Sequence, residues 1–486
     1  MPSWSLHTLL TKQLADAVRG SGDEDPQGEP AEYWWNALNR TGSYCLIDSA
    51  WDLGVATEGT LLLRYAQDKS SKEQSAAGTK YVPVIRAFVE AVRSSDGEVL
   101  HQWDGPVPPD LAASNLTVEV PWVRMGQTLY PERPLGQQAN ALRERYPWLK
   151  RSKPRKYSEG LQFDLYALVY PSELAFGQTG LGWTLMFRYG HLQAFKPPEK
   201  KRSQKPLTLL TLPVYRAGPN DIGWRVPTVT SLKDKRVVVV GTGAVGAPVA
   251  VELARNGCRA LDLVEHDTVE PGNTIRWPLG ASAWGRGKAE ALRTFLAQEY
   301  PATTVRVHRH FVGSAAQEIN EPGDDDVLDP LLAEADLVID GSASHGITNL
   351  LADRCRGAGI TLISLFATPT LEGGAVVRHA GDGGCPNCLE HAWHNGDIEP
   401  PAGRGAGDDA LMQPPGCGER TFVGANYDLQ ELSLQAVRLT VVTLTTDAKV
   451  SSVVQTLSFI DEAGQRSPPR WRVDPLPRHA ACGCRP

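Results

Sequence analysis

The sequence has no run of 18 apolar residues, no long block of Lys and Arg, and no cysteine between Cys45 and Cys258. The first absence excludes a membrane-spanning helix. The second removes the electrostatic basis for gripping phosphate backbones or anionic lipid, in line with a net charge of −7. Nucleic acid and membrane surfaces are therefore not expected partners. The third bears on the N-terminal half, which holds Cys45 alone among the eight cysteines and offers no ordered set of acids, bases or metal ligands. The first residues also lack a basic segment followed by a small-residue cleavage site, so a cytoplasmic location is expected. In that reducing setting the cysteines are free to act as metal ligands or nucleophiles.

What is present is the composition of a globular chain, 41% apolar and 22% charged over 486 residues. That length suggests two domains. No repeat of solenoid period occurs. Residues 196–234 are rich in Pro and Lys and read as a linker between an accessory domain, 1–195, and a second domain, 235–486. In the first, Lys80–Val92 has helical periodicity, whereas Leu61–Tyr65, Leu116–Val120, Phe163–Tyr170 and Trp183–Tyr189 read as strands, an α+β mixture. In the second, strands alternate with helices. Arg236–Val240, Arg259–Glu265, Val305–Val312, Asp336–Asp340 and Leu362–Ala367 are expected strands, with helices over Val245–Asn256 and Arg286–Tyr300. This predicts a Rossmann-like, doubly wound α/β fold with a mainly parallel sheet.

Within it, GTGAVG at Gly241–Gly246 follows a strand and opens a helix. Gly241 permits a tight turn, Gly243 lets backbone approach phosphate, and Gly246 lets the helix pack on the sheet. Glu265 follows at the distance expected for a ribose contact. The residues alone leave NAD(P) and ATP both open.

The next stretch, LVEHDTVEPGNTIRWPLGASAWGRGKAEAL, resembles the motif after the glycine loop in the superfamily of ThiF, MoeB and ubiquitin-activating enzymes. An acidic pair, Glu265 and Asp267, is followed in order by Asn273, Arg276 and Lys288. The resemblance implies ATP, with Glu265 on the ribose and Asn273, Arg276 and Lys288 gripping the triphosphate. A carboxylate attacking an α-phosphate gathers negative charge, which cationic side chains must meet. The family's Asp-x-x-Asp after the fourth strand is here DGSASHG, with Asp340 kept and Ala343 in the second position. Magnesium is thus less firmly implied than nucleotide, with Asp340, Asp267 or water as substitutes.

The cysteines extend the resemblance. Cys385 and Cys388 in CPNC, with Cys482 and Cys484 in the C-terminal CGC, make a four-thiolate set of the kind structural zinc prefers. The family's second pair is CxxC, so CxC departs from its pattern. Cys417, in PPGCGERTFVG, ends a Gly- and Pro-rich stretch within a crossover loop expected over residues 389–425, before a helix over Tyr427–Thr443. It matches, briefly, the loop cysteine of ubiquitin-activating-like proteins of bacterial defence operons, which takes the activated carrier as a thioester. A nearby helix N-terminus would favour its thiolate.

The implied activity is adenylation of the terminal glycine carboxylate of a ubiquitin-like protein, then thioester formation on Cys417 and transfer to a conjugating-enzyme-like protein. A homodimer is left open. The alternatives are a sulfur-carrier adenylyltransferase and a nucleotide- or carrier-binding pseudoenzyme; an NAD-dependent oxidoreductase is third, since no later segment supplies a hydride-transfer acid or base. The N-terminal half is expected to be a non-catalytic scaffold, either adenylation-like or conjugating-enzyme-like.

Overall fold

The structure is a computed structural model that describes residues 30–36, 42–75, 78–131, 134–157, 160–175, 177–195, 207–224, 226, 232–313, 322–381, 383–405, 410–413, 421–446 and 448–484. The chain divides into two compact units, Met1–Trp224 and Arg225–Pro486. No helix among the described residues is long and apolar enough to cross a membrane.

The first unit contains α1 (Ala31–Asn36), β1 (Tyr44–Ile47), β2 (Glu58–Ser75), β3 (Gly78–Ser94), β4 (Val99–Gln102), α2 (Pro109–Ala112), β5 (Thr117–Arg124), α3 (Leu135–Arg145), β6 (Arg155–Lys156), β7 (Leu161–Ala175), β8 (Gln178–His191), β9 (Thr208–Leu212) and β10 (Val214–Arg216). The strand order is β10-β1-β3-β2-β5-β7-β8-β9, dominated by the antiparallel hairpins β2–β3 and β7–β8. β9 and β10 flank Pro213, and one pairs with β8 while the other pairs with β1. The two ends of the strand order therefore meet on one stretch of chain, which leaves few open sheet edges. Strand β7 sends Leu165, Ala167 and Val169 into one core and Tyr166, Leu168 and Tyr170 into another, beneath α1 and α3.

Two expectations change here. Lys80–Val92 is the strand β3, not a helix. Val82, Ile85, Val89 and Val92 satisfy a helical stripe, but all four are buried within a strand paired to β1 and β2. Tertiary pairing decided between two periods that a short apolar run leaves unresolved. Residues 208–216, read as linker, are the strands that join the sheet's ends.

The second unit contains β11 (Arg236–Val240), α4 (Gly246–Arg255), β12 (Ala260–Val264), α5 (Lys288–Glu299), β13 (Thr304–His308), α6 (Asp324–Glu334), β14 (Leu337–Asp340), α7 (His345–Ala358), β15 (Thr361–Ala367), β16 (Gly373–His379), α8 (Pro386–Asn395), α9 (Asn426–Thr445), β17 (Val453–Ile460) and β18 (Arg466–Pro475). Its sheet runs β13-β12-β11-β14-β15-β16-β17-β18, with the first five strands parallel and the rest antiparallel. This is the doubly wound α/β sheet expected. Every residue of β11 is buried, as a central strand covered on both faces requires. Val237 and Val239 face the core shared with α4, α5 and α9; Val238 and Val240 face α6 and α7. α8 packs on Ala375 and Val377, whereas α9 packs with Val376, so these two helices lie on opposite faces. The chain between them must pass around the sheet. That crossing starts later than expected, because α8 continues to Asn395.

Candidate functional site

The strand order reverses between β11 and β14, and a crevice outside the carboxyl ends of such strands is where open α/β sheets bind ligands. Here Gly241 turns with φ of 78°. A Cβ on Gly246 would stand 1.9 Å from the Gly241 carbonyl oxygen, so the loop and the start of α4 are in contact that only glycine allows. A Cβ on Gly243 would meet nothing within 4 Å. The loop backbone thus opens onto free space at the uncapped N-terminus of a ten-residue helix, the arrangement that receives phosphate.

The acidic pair organises this loop. The Glu265 carboxylate accepts from the N–H groups of Thr242 (2.9 Å), His266 (2.8 Å) and Asp267 (3.0 Å). Asp267 is hydrogen-bonded to the Lys288 ammonium, at the first turn of α5. Burial alone would raise the Asp267 pKa, but the hydrogen bond and charge of Lys288 hold it below the usual carboxylate range. Asn273 accepts from the Glu270 N–H at 2.9 Å, shaping the short turn Pro271–Ile275. Trp277, buried beside Arg276, donates its indole N–H to the Thr242 carbonyl at 2.8 Å and ties this turn to the glycine loop.

Arg276 makes a contact far away in sequence. Its Nη1 donates to the Phe422 carbonyl at 2.8 Å, and its guanidinium lies 4.8 Å from the Phe422 ring centre. Residues 421–422 follow Cys417, which lies outside the described residues. Val423 donates to the Pro369 carbonyl at 3.2 Å. The end of the crossing segment is therefore fastened both to the turn after the glycine loop and to the loop after β15.

Asp340 does not serve as an open metal ligand. It is 1% exposed, and its two oxygens accept from the Ser342 N–H (2.9 Å), the Ser342 hydroxyl (2.6 Å) and the Thr348 hydroxyl (2.5 Å). Burial raises its pKa against the pull of these bonds. With Asp267 held by Lys288 and Ala343 offering no ligand atom, these residues do not form a magnesium cage.

Two site residues escaped the sequence reading. Gly341 packs on the glycine loop, where a Cβ would stand 2.8 Å from Gly246 Cα; its signal was a glycine directly after the aspartate that ends β14. Trp277 had no signal beyond its place next to Arg276.

Cys385, Cys388, Cys482 and Cys484 are brought together, their sulfur atoms all within 4.8 Å of one another. Three sulfur pairs lie 3.7, 3.6 and 3.5 Å apart. A tetrahedral ion with sulfur at about 2.3 Å spaces its ligands by about 3.8 Å, so the cluster fits a four-thiolate metal. Burial would raise the Cys484 thiol, but a hydrogen bond from Arg356 brings it down to about 7. Cys45, Cys258 and Cys355 are buried in cores, and burial pushes the last two thiols up to about 12. They are packing residues.

A family model described as the ThiF family matches residues 221–425. The uncharacterized protein y4qC of Sinorhizobium fredii is 41% identical over 495 residues, which cover 99% of this chain and 80% of that protein. The molybdopterin-synthase adenylyltransferase of Escherichia coli (strain K12) is 34% identical over 165 residues, 34% of this chain and 61% of its own length. Among solved structures, E. coli MccB with ATP aligns with a TM-score of 0.37 at 15% identity, over 55% of this chain and 70% of that one.

Proposed function

Because this chain belongs to the ThiF family, within the superfamily of ThiF, MoeB and ubiquitin-activating enzymes, we propose that it adenylates the C-terminal glycine carboxylate of a ubiquitin-like protein. The observation that carries this reading is the glycine loop open above Gly243, bounded by Lys288 and by the turn that bears Asn273 and Arg276. The carboxylate oxygen attacks the α-phosphorus of ATP, the bond to the β-phosphate breaks, and pyrophosphate leaves. Asn273, Arg276 and Lys288 grip the triphosphate and the two cations meet the charge that gathers there, while Glu265 holds the ribose hydroxyls. The Cys417 thiolate then attacks the acyl carbon, the bond to AMP breaks, and a thioester forms for transfer to a conjugating-enzyme-like protein. Supporting the second step, Arg276 fastens the segment just after Cys417 to the nucleotide side of the sheet.

The four thiolates hold a structural zinc ion that ties the C-terminal tail to the start of α8. The N-terminal unit acts as a scaffold for the carrier, and its one cysteine, Cys45, is fully buried with its thiol pKa raised by that burial, so it offers no thiolate for acyl transfer. A second reading, activation of a sulfur carrier, is favoured by the 34% identity to a molybdopterin-synthase adenylyltransferase.

Carrier-dependent exchange of labelled pyrophosphate into ATP tests the first step, and its absence with a panel of glycine-ended carriers sinks it. A reducible carrier–enzyme band lost in Cys417→Ala, with exchange retained, supports the second. A band that survives the substitution assigns the acceptor elsewhere, and a persulfide on Cys417 would support the sulfur-carrier reading.

A further inference from the structure

A cavity of ≈ 420 Å³ lies between α7 and α8 over β15 and β16, two and three strands along from β11, which carries the glycine loop. Its size falls in the range of about 300–1,000 Å³ typical of pockets that enclose organic ligands. Ala343 stands in its lining, two residues after Gly341, which itself packs on the glycine loop. The loop after β14 therefore joins the cavity lining to the glycine loop beside which the proposed acyl transfer takes place.

Its chemistry changes from inside to rim. Phe366, Val377, Leu389 and Trp393 supply apolar walls, and all but Phe366 are buried. At the inner end Ser364 and His379 form a pair at 3.3 Å. His379 spends its Nδ1–H on the Gly384 carbonyl at 3.1 Å, so its Nε2 accepts the Ser364 hydroxyl proton and the Ser364 oxygen is left as an acceptor. The Trp393 indole N–H is buried without an acceptor among the described residues. At the rim, Glu390 pairs with Arg404, whose guanidinium lies 4.3 Å from the Trp393 ring centre. A lining with apolar walls, a charged rim, a serine oxygen left to accept and a buried indole N–H with no acceptor matches a peptide carrying a large apolar side chain, since its backbone has both N–H and C=O groups. Two glycines would leave most of the volume empty.

Resting on the adenylation reading for its location, we infer that this cavity receives a large apolar side chain from the last residues of the acyl substrate. A chain ending in an apolar residue followed by glycine is thus the preferred tail, and Gly-Gly is the poorer one. Ala343 is part of this selection, because an aspartate there would add to the lining a carboxylate with no cation paired to it, beside the apolar walls.

The test uses the full chain and two synthetic peptide acids, acetyl-Ala-Ala-Ala-Phe-Gly and acetyl-Ala-Ala-Ala-Gly-Gly, with binding measured by calorimetry. The Phe-Gly peptide is expected to bind at least tenfold more tightly. Val377→Phe fills the cavity from β16 and Leu389→Trp from α8, so one remains informative if the other fails to fold, and each is expected to bring the ratio of affinities close to one. Equal affinities in the parent protein, a preference that survives both substitutions, or binding of neither peptide overturns the inference. Pyrophosphate exchange separates the two ideas: preferential peptide binding with no exchange from either the peptides or the glycine-ended carriers leaves the cavity as a peptide site and removes the adenylation reading.

Discussion

Replacing Arg276 by alanine should loosen a segment 146 residues away in sequence. The Arg276 guanidinium donates a charge-assisted hydrogen bond to the Phe422 carbonyl at 2.8 Å and a long one to the Thr421 hydroxyl at 3.5 Å, and stacks 4.8 Å from the Phe422 ring centre. A hydrogen bond to a charged group contributes roughly 1.5–3 kcal/mol, and a partly exposed cation–π contact adds about 0.5–1 kcal/mol. The substitution therefore removes about 2–4 kcal/mol from the closed state of residues 421–424, and little from the rest of the fold. At about 1.4 kcal/mol per factor of ten, local opening becomes roughly 30- to 1,000-fold more frequent. Native-state hydrogen exchange reads this directly at the amides of Thr421 and Val423, which donate to Met412 and Pro369 at 2.8 and 3.2 Å. Arg276→Lys keeps the charge and loses the planar fork, so an intermediate effect is expected. If these amides stay as protected in Arg276→Ala as in the parent while pyrophosphate exchange collapses, Arg276 serves the nucleotide alone and the fastening argument is wrong.

Gly341→Ala puts a Cβ 2.8 Å from Gly246 Cα and 2.9 Å from the Gly241 oxygen, so the glycine loop must shift. A fall in ATP affinity of more than tenfold is expected by fluorescence titration, and unchanged affinity would refute the tight contact. Gly243→Ala meets no neighbour, so its melting temperature should stay within about 2 °C of the parent, while the added methyl blocks phosphate. Metal analysis should find one zinc per chain, lost in Cys484→Ser. Because the Gly384 N–H already holds the Leu476 carbonyl at 2.9 Å, the metal closes only the short tail beyond it and its removal costs about 1–3 kcal/mol; global unfolding on chelation would contradict this. Burial lowers the His379 pKa from 6.5 to about 4. The folded state binds the proton less well, so this contribution is complete above pH 6.5 and about 3 kcal/mol of it is lost on acidification to pH 4. Denaturant unfolding of His379→Gln should show a shallower decline across that window, and parallel profiles would refute the assignment.

How much of this was legible depended on whether a feature was local. Arg236–Val240 announced itself because a run of four valines suits a strand covered on both faces, and the turn and helix that carry Asn273, Arg276 and Lys288 follow the loop in chain order. The four cysteines could be paired on paper because thiolates have few other reasons to gather. Lys80–Val92 failed for the opposite reason, since its apolar positions fit both periods and only strands β1 and β2 chose between them. β18 hid behind Pro468 and Pro469, which fall at an irregularity in the register on a sheet edge, where a missing N–H costs least. The bond from Arg276 to Phe422 joins segments whose approach is set by α8 and α9 lying on opposite faces, and no sequence period encodes that.

Ala343 poses the sharpest remaining test, because it differs from the family pattern at a position where the backbone would welcome the residue that is missing. Its φ is 55°, in the left-handed region where aspartate and asparagine are enriched over alanine. Ala343→Asp should therefore leave stability within about 0.5 kcal/mol of the parent. It also adds a carboxylate to the cavity lining, beside a site where Asp340 is buried and fully hydrogen-bonded. If the parent enzyme relies on the nucleotide's own phosphates and water to hold magnesium, the new carboxylate lowers the magnesium concentration for half-maximal pyrophosphate exchange several-fold, and it weakens the Phe-Gly peptide by setting a charge against an apolar side chain. Both shifts follow from one substitution, so they must appear together. An unchanged magnesium dependence would show that the aspartate position does not face the phosphates in this chain, and exchange that arises only after Ala343→Asp would mean that the parent binds nucleotide and carrier without turning them over.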